Sequence, residues 1–303
     1  MTVLVTGAGG FVGRAVVRAL LAAEHDVVAT DMASAAIPAG ARVLAGDLAD
    51  PALRAALLQP GVSGVIHLAT VPGGAAEADP VASRRINLDA GYDLITEAAA
   101  ISPGVRFVFA SSIAVFGDAW PAQVDDATPP APRLIYGGHK AMIEAAVAMY
   151  STRGAIDGIS LRLPGIITRP PAPSGMKSAF LSNLFHALRA SERFICPVGP
   201  EATMWLQSLP VAVKNLVHAL TVPAAALPAT RAVNLPALRV RMDDLVAAVA
   251  QACGTDPALV TYVPDPALQA GFGNQPPLIT PAADKAGFIR DADLVALVTG
   301  AMP

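Results

Sequence analysis

The sequence predicts an α/β protein built on a doubly wound parallel sheet, with a smaller, discontinuous C-terminal region set apart from it. Three observations carry this expectation. Short apolar runs alternate with helix-length segments through the first half of the chain, the pattern of parallel strands covered by helices on both faces. The first run passes directly into a glycine-rich turn, Gly7-Ala-Gly-Gly-Phe-Val-Gly13. From Arg169 the texture changes to Arg169-Pro-Pro-Ala-Pro-Ser-Gly175, where fixed φ and missing donors exclude regular structure.

Taken in order, residues 2–6 read as a buried strand and residues 14–23 as an apolar helix. A second strand spans 26–30, a third 42–45, a helix 51–58 and the next strand 64–69. Residues 84–100 read as one helix and 105–111 as a strongly apolar strand. The proline-rich stretch 119–132 is a loop before a helix that begins near Leu134. Residues 158–167 read as a further strand. Residues 214–220 and 231–234 resemble a helix and a strand returning to the main layer, whereas 176–201 and 243–303 lie outside it. The expected organisation is therefore a dinucleotide-binding domain, 1–168 with 211–236, and a substrate-binding region, 169–210 with 237–303.

Composition narrows the function. The chain has 303 residues, room for one large or two fused domains. A formal net charge of −3 with 15% charged residues provides no basic field for nucleic acid. Cys196 and Cys253 lie far apart without paired spacing, so neither a disulfide framework nor a metal site is expected. No apolar run approaches the length of a membrane span, and the chain enters a strand at once. The expectation is a cytoplasmic protein with a small-molecule substrate and no membrane partner.

Strand, glycine turn and helix in succession are what a dinucleotide site requires. Gly7, Gly10 and Gly13 let the backbone approach a pyrophosphate, which would meet the N–H groups from Gly7 to Phe11 and the helix start at Val12. Asp31 ends the second strand, where an acid hydrogen-bonds the adenosine ribose. Its charge would repel a 2′-phosphate, so the expected cofactor is NAD rather than NADP, a preference that Arg14 would soften.

Tyr136 and Lys140 stand one helical turn apart on one face, so the ammonium is expected to favour the ionised phenol. A phenolate is a usable general base. Ser111 and Ser112 close the apolar strand at the carboxyl edge of the sheet, where open α/β proteins bind ligands. Ser112 would orient a substrate hydroxyl, Tyr136 would take its proton, and Lys140 would also hold the nicotinamide ribose.

Together, Thr6-Gly-Ala-Gly-Gly-Phe-Val-Gly13, Asp47-Leu48, His67-Leu68-Ala69, Asn87, Ser111-Ser112-Ile-Ala-Val-Phe-Gly117 and Tyr136-x-x-x-Lys140 resemble the extended short-chain dehydrogenase/reductase superfamily, which has a Rossmann fold. The resemblance implies that Asp47 and Leu48 border the adenine. It places Leu68, Ala69, Thr70, Leu163 and Pro164 beside the cofactor and makes Asn87 a structural or relay position. Ser112 falls on the catalytic serine, with Ser111 and Ile113 toward the substrate. It also implies a homodimer through the Tyr136 helix and residues 84–100.

Members acting on nucleotide sugars carry an asparagine after the Leu161-Arg162-Leu163 position and an Arg-Asp pair near Met204–Pro210, and this chain has neither. Ser151-Thr-Arg-Gly154, Asp157-Gly-Ile-Ser-Leu-Arg-Leu-Pro164, Arg169-Pro, Ser178-Ala-Phe180, Cys196-Pro-Val198 and Trp205-Leu are instead similar to the D-erythronate dehydrogenase family. That likeness implies NAD-linked oxidation of a small polyhydroxy acid to a 2-oxo acid. Gly165, where that family has a threonine, and the divergent stretch 171–177 depart from it near the expected substrate. Arg169, Ser174 and Lys177 are candidate partners for the acid, and Trp205 a candidate wall. The rival readings are a nucleotide-sugar epimerase or reductase and a dinucleotide-binding sensor without turnover.

Overall fold

The computed structural model describes residues 1–170 and 179–302. In chain order its strands are β1 (Thr2–Thr6), β2 (Asp26–Thr30), β3 (Arg42–Val43), β4 (Val62–His67), β5 (Val105–Ser112) and β6 (Ile156–Leu163). There follow β7 (Gly165–Ile167), β8 (Phe194–Cys196), β9 (Thr203–Ser208), β10 (Ala232–Asn234), β11 (Leu238–Arg241) and β12 (Val260–Tyr262).

Side-chain alternation builds the main layer. Val3 and Val5 enter one core with Val16, Leu20, Ile66, Val108 and Leu216, while Leu4 enters the opposite core with Val65, Phe107, Leu94, Ile95 and Ile143. Both faces of the sheet are thus covered by helices, as apolar parallel strands require. The seven strands run in the order β10-β6-β5-β4-β1-β2-β3 with every pairing parallel. From β1 the chain winds outward to β3, then crosses to β4 and winds the other way. The carboxyl ends of β1 and β4 therefore flank the switch point where such sheets bind ligands.

Beyond the sheet, β7, β9 and β11 form a three-stranded layer, and β8 pairs with β12. A separate core, including Ile167, Phe185, Leu206, Leu245 and Leu297, fills this part.

Several element boundaries depart from the sequence reading, and three of the departures have a local cause. Residues 84–100 are not one helix: Pro80–Arg84 leads into a π-helical segment, Arg85–Asp89, and then the helix Ala90–Ile101. The widened turn turns Asn87 inward, where its amide is fully engaged. Residues 158–167 are two strands in different sheets, because Pro164 has no N–H to continue the ladder. The strand expected at 64–69 ends at His67, where Thr6 Oγ1 takes the N–H groups of Leu68 and Ala69, each at 3.2 Å.

Candidate active site

The glycine turn leaves no room for side chains. Gly7 adopts φ +68°, and a Cβ there would come within 2.7 Å of the Ala69 nitrogen. At Gly13 a Cβ would lie 2.0 Å from the Gly7 carbonyl oxygen. Gly10 begins the helix Phe11–Ala22 with no side chain capping its first N–H groups, which stay available to an anion. This bare cradle fits a dinucleotide pyrophosphate. Asp31 closes it at the end of β2, with Oδ2 accepting from Gly9 N at 2.9 Å and Oδ1 from Met32 N at 2.8 Å. Gly9, inside the stretch from Gly7 to Phe11 expected to meet the pyrophosphate, is thereby tied to Asp31.

Asp47 Oδ1 accepts from Ala49 N at 2.9 Å, and its other oxygen pairs with Arg85. The Leu48 side chain is buried in the core, and its carbonyl accepts from Arg54 at 2.9 Å. On the opposite wall, Asn87 Oδ1 accepts from Val71 N at 2.6 Å and from Thr70 Oγ1 at 3.1 Å. Asn87 Nδ2 donates to the Val71 carbonyl and to Ser83 Oγ. Asn87 thereby sets the chain that follows Leu68 and Ala69.

Tyr136 lies in the first turn of the helix Ile135–Thr152, whose Ile135 N–H donates to Glu77 at 2.7 Å. Its half-buried ring borders a cavity of about 370 Å³ also lined by Ser112, Ile113, Pro164, Arg169 and Trp205. Leu163 instead packs against the core. Ser174 and Lys177 lie outside the described residues. A groove of about 460 Å³ at the amino ends of β1, β2 and β4, beside His25 and Arg42, is at the far end of the sheet from these groups.

The electrostatics correct the expected Tyr–Lys pairing. Desolvation raises the Tyr136 phenol above its ordinary value, opposed by the positive charge of Arg169 and by a hydrogen bond from Ser112. Lys140 Nζ donates to the Ala110 carbonyl at 2.7 Å and lies 5.5 Å from the centroid of the Tyr136 ring. Burial lowers its pKa to about 7, opposed by Glu144. The positive charge that opposes the rise at Tyr136 is that of Arg169. Its guanidinium sits 5.2 Å over the Phe11 ring of the glycine turn, and among the described residues no carboxylate pairs with it. Ser182 accepts its backbone N–H at 2.9 Å, and its carbonyl accepts from His186 at 2.6 Å.

Ser111 does not reach the cavity. Successive strand residues face opposite ways, so with Ser112 toward Tyr136 the Ser111 hydroxyl turns inward and donates to Glu144 at 2.5 Å. Glu144 also pairs with Arg162, which reaches Asn234, whose amide donates to the Asp125 carbonyl. The sequence reading missed this network. Its one local signal is Glu144 standing a turn beyond Lys140 on the same helix face. Among the described residues no three His, Cys, Asp or Glu side chains converge as a metal would need, and no helix is long and apolar enough to cross a membrane.

Comparison with known proteins gives this geometry a context. D-erythronate dehydrogenase of Cupriavidus necator is 36% identical over 269 residues, 84% of this chain and 82% of that protein. D-erythronate dehydrogenase of Haemophilus influenzae is 32% identical over 261 residues, 84% of this chain and 83% of that protein. A crystal structure described as the nucleoside-diphosphate-sugar epimerase from Agrobacterium tumefaciens superposes with a TM-score of 0.89 at 28% identity, covering 98% of this chain and 92% of its own. The model of the NAD dependent epimerase/dehydratase family matches residues 3–207, and the chain belongs to that family.

Proposed function

We propose that the protein oxidises a hydroxyl of a small polyhydroxy acid of the D-erythronate kind to a 2-oxo acid, with NAD. One observation carries the reading: the cavity is lined together by Ser112, Tyr136 and Arg169, a cation without a carboxylate partner among the described residues. The names and identities of the two bacterial relatives support the substrate class.

The glycine turn would hold the pyrophosphate and Asp31 the adenosine ribose, which favours NAD over NADP. When bound, NAD supplies the hydride acceptor. The chain's own groups do the rest. Ser112 holds the substrate oxygen, Tyr136 takes its proton, and Arg169 fixes the carboxylate while lowering the energy of the ionised phenol. Lys140, from beneath, would reach the nicotinamide ribose. Residues 1–168 with 211–236 then act as the dinucleotide domain and 169–210 with 237–303 as the substrate region of a cytoplasmic enzyme. Tyr92, Met142 and Met149 are exposed on the helices Ala90–Ile101 and Ile135–Thr152, the surfaces proposed for a homodimer.

The description of the Agrobacterium structure favours a second reading, epimerisation of a nucleotide sugar. The two part on one assay. Purified protein with NAD is expected to form NADH from four- and five-carbon aldonates, and Tyr136→Phe to cut that rate by roughly 10²- to 10⁴-fold while NAD still binds. Silence across the aldonates together with turnover of a sugar nucleotide would reverse the order of the readings.

A further inference from the structure

We propose that Gln275 reads the part of the substrate that does not react: its side-chain Nε2 donates to a hydroxyl oxygen of the bound acid other than the one oxidised. The protein would then discriminate polyhydroxy acids from their deoxy counterparts. The inference rests on the acid dehydrogenase reading above and names the group that recognises its substrate class.

The helix Pro266–Phe272 and the residues after it border the cavity through Ala267, Ala270, Gly271, Phe272 and Gln275. Gln275 is the one side chain of that set able to hydrogen-bond. Its backbone is fixed against β9. Its N–H donates to the Thr203 carbonyl at 3.0 Å, and its carbonyl accepts from Thr203 Oγ1 at 2.9 Å and from Arg239 Nε at 2.8 Å.

The orientation of the amide follows from its partner. The Trp205 backbone N–H donates to Gln275 Oε1 at 2.5 Å. A backbone N–H can only donate, so the amide oxygen faces β9 and the NH2 group points away from that bond. Every other polar atom of Gln275 is engaged, while Nε2 meets no acceptor among the described residues. Gln275 is 4% exposed, yet Nε2 is not one of the side-chain atoms sealed off without a partner. Its donors therefore open on the cavity that Gln275 lines.

An amide NH2 in so enclosed a place is costly to leave unpaired. It offers donors only, so an oxygen lone pair satisfies it. Under the reading above, the reacting hydroxyl belongs to Ser112 and Tyr136 and the carboxylate to Arg169. Arg133 and Asp118, which also line the cavity, already pair with each other at 3.2 Å. The oxygens left for Gln275 are the remaining hydroxyls of a polyhydroxy acid. A deoxy acid would set carbon against Nε2 and forfeit the bond, which is how a buried polar group rejects an analogue lacking a hydroxyl.

The test compares D-erythronate with counterparts that carry hydrogen or fluorine in place of the hydroxyl on carbon 3 or carbon 4. Fluorine keeps a weak acceptor at that place and brings no donor. At one of the two positions the wild type is expected to rank hydroxyl above fluoro above deoxy in kcat/KM, by about tenfold or more overall and about two- to fivefold between fluoro and deoxy. Gln275→Glu retains an oxygen for the Trp205 N–H and replaces the donor with a second acceptor. In alkaline buffer it should put fluoro below deoxy while still accepting from the hydroxyl, an inversion that a merely structural role of Gln275 would not produce. Gln275→Met should bring fluoro and deoxy level. Dissociation constants of the same acids for the protein without cofactor, read by tryptophan fluorescence, give these ratios independently of turnover. Turnover of D-erythronate with fluoro no better than deoxy at either position, or with ratios that both variants leave unchanged, would overturn the role of Gln275 and leave the dehydrogenase reading standing. The ranking and its inversion in the dissociation constants, with no NADH from any acid, would keep the subsite and overturn that reading. Neither binding nor turnover of any acid would overturn both.

Discussion

Lys140 and His67 are basic groups buried beneath the cavity, and burial keeps neither an ordinary cation. His67 lies beside the rings of Phe107 and Phe109, with Nδ1 2.7 Å from Thr6 Oγ1. Desolvation, aided by the positive charge of Lys140, lowers its pKa from 6.5 to about 3. An unfolded chain takes up this proton near pH 6.5 and the folded one only near pH 3, so between those values the unfolded state binds more protons. Stability contributed by neutral His67 is thus present above pH 6.5 and is lost as pH falls through the window, by about 1.4 kcal/mol per pH unit. His67→Gln should start about 1 kcal/mol less stable at neutral pH, through the weakened Thr6 hydrogen bond, and lose less on acidification. Denaturant titrations at pH 7 and pH 4.5 read the difference, and parallel losses in both proteins would exclude His67 as the source.

The element that organises the site is the helix Ile135–Thr152, fastened to the end of β5 residue by residue. Lys140 holds the Ala110 carbonyl, Glu144 holds the Ser111 hydroxyl, and Tyr136 meets Ser112. These three helix residues are four apart and share one face. Glu144 and Arg162 are each about 6% exposed and pair through two nitrogens, tying the helix to β6 as well. Removing one partner of a buried pair leaves the other charge uncompensated, so Glu144→Gln should cost about 3 to 5 kcal/mol in urea unfolding. Adding Arg162→Met should recover part of that loss. A single variant costing under about 1 kcal/mol, or a double variant no better than the single, would show that the pair does not fasten the helix. The Tyr136–Lys140 spacing was legible because it is local, and so was the glycine turn. The direction of Ser111 was not, because its partner Glu144 lies 33 residues away and that partner's own ion pair crosses to a different strand. The π-helical turn was hidden for the same reason, since Asn87 is held by Thr70, Val71 and Ser83 rather than by a periodic pattern.

At the scale of the molecule, the parallel order was readable from alternating apolar runs, but where the chain changes layers was not. Those crossings follow tertiary ties: Pro164 separates β6 from β7, and Asp291 clasps Ser208 through both its N–H at 2.9 Å and its hydroxyl at 2.6 Å. Asn215 likewise exchanges hydrogen bonds with the backbone of Ile289. The C-terminal segment is thereby bound to the helix Leu209–His218, which itself packs on the glycine-turn helix. Ligand binding at the switch point should therefore stabilise the whole chain. At one hundred times its dissociation constant, NAD should add about 2.7 kcal/mol, a rise in Tm of about 4 °C. NADP should shift the wild-type Tm far less, because Asp31, fixed by Gly9 and Met32, opposes the 2′-phosphate. Asp31→Ser should lower the NAD shift and bring the two cofactors closer together. Equal shifts from both cofactors in the wild type, unchanged in the variant, would remove Asp31 from the ribose site while leaving the pyrophosphate cradle intact.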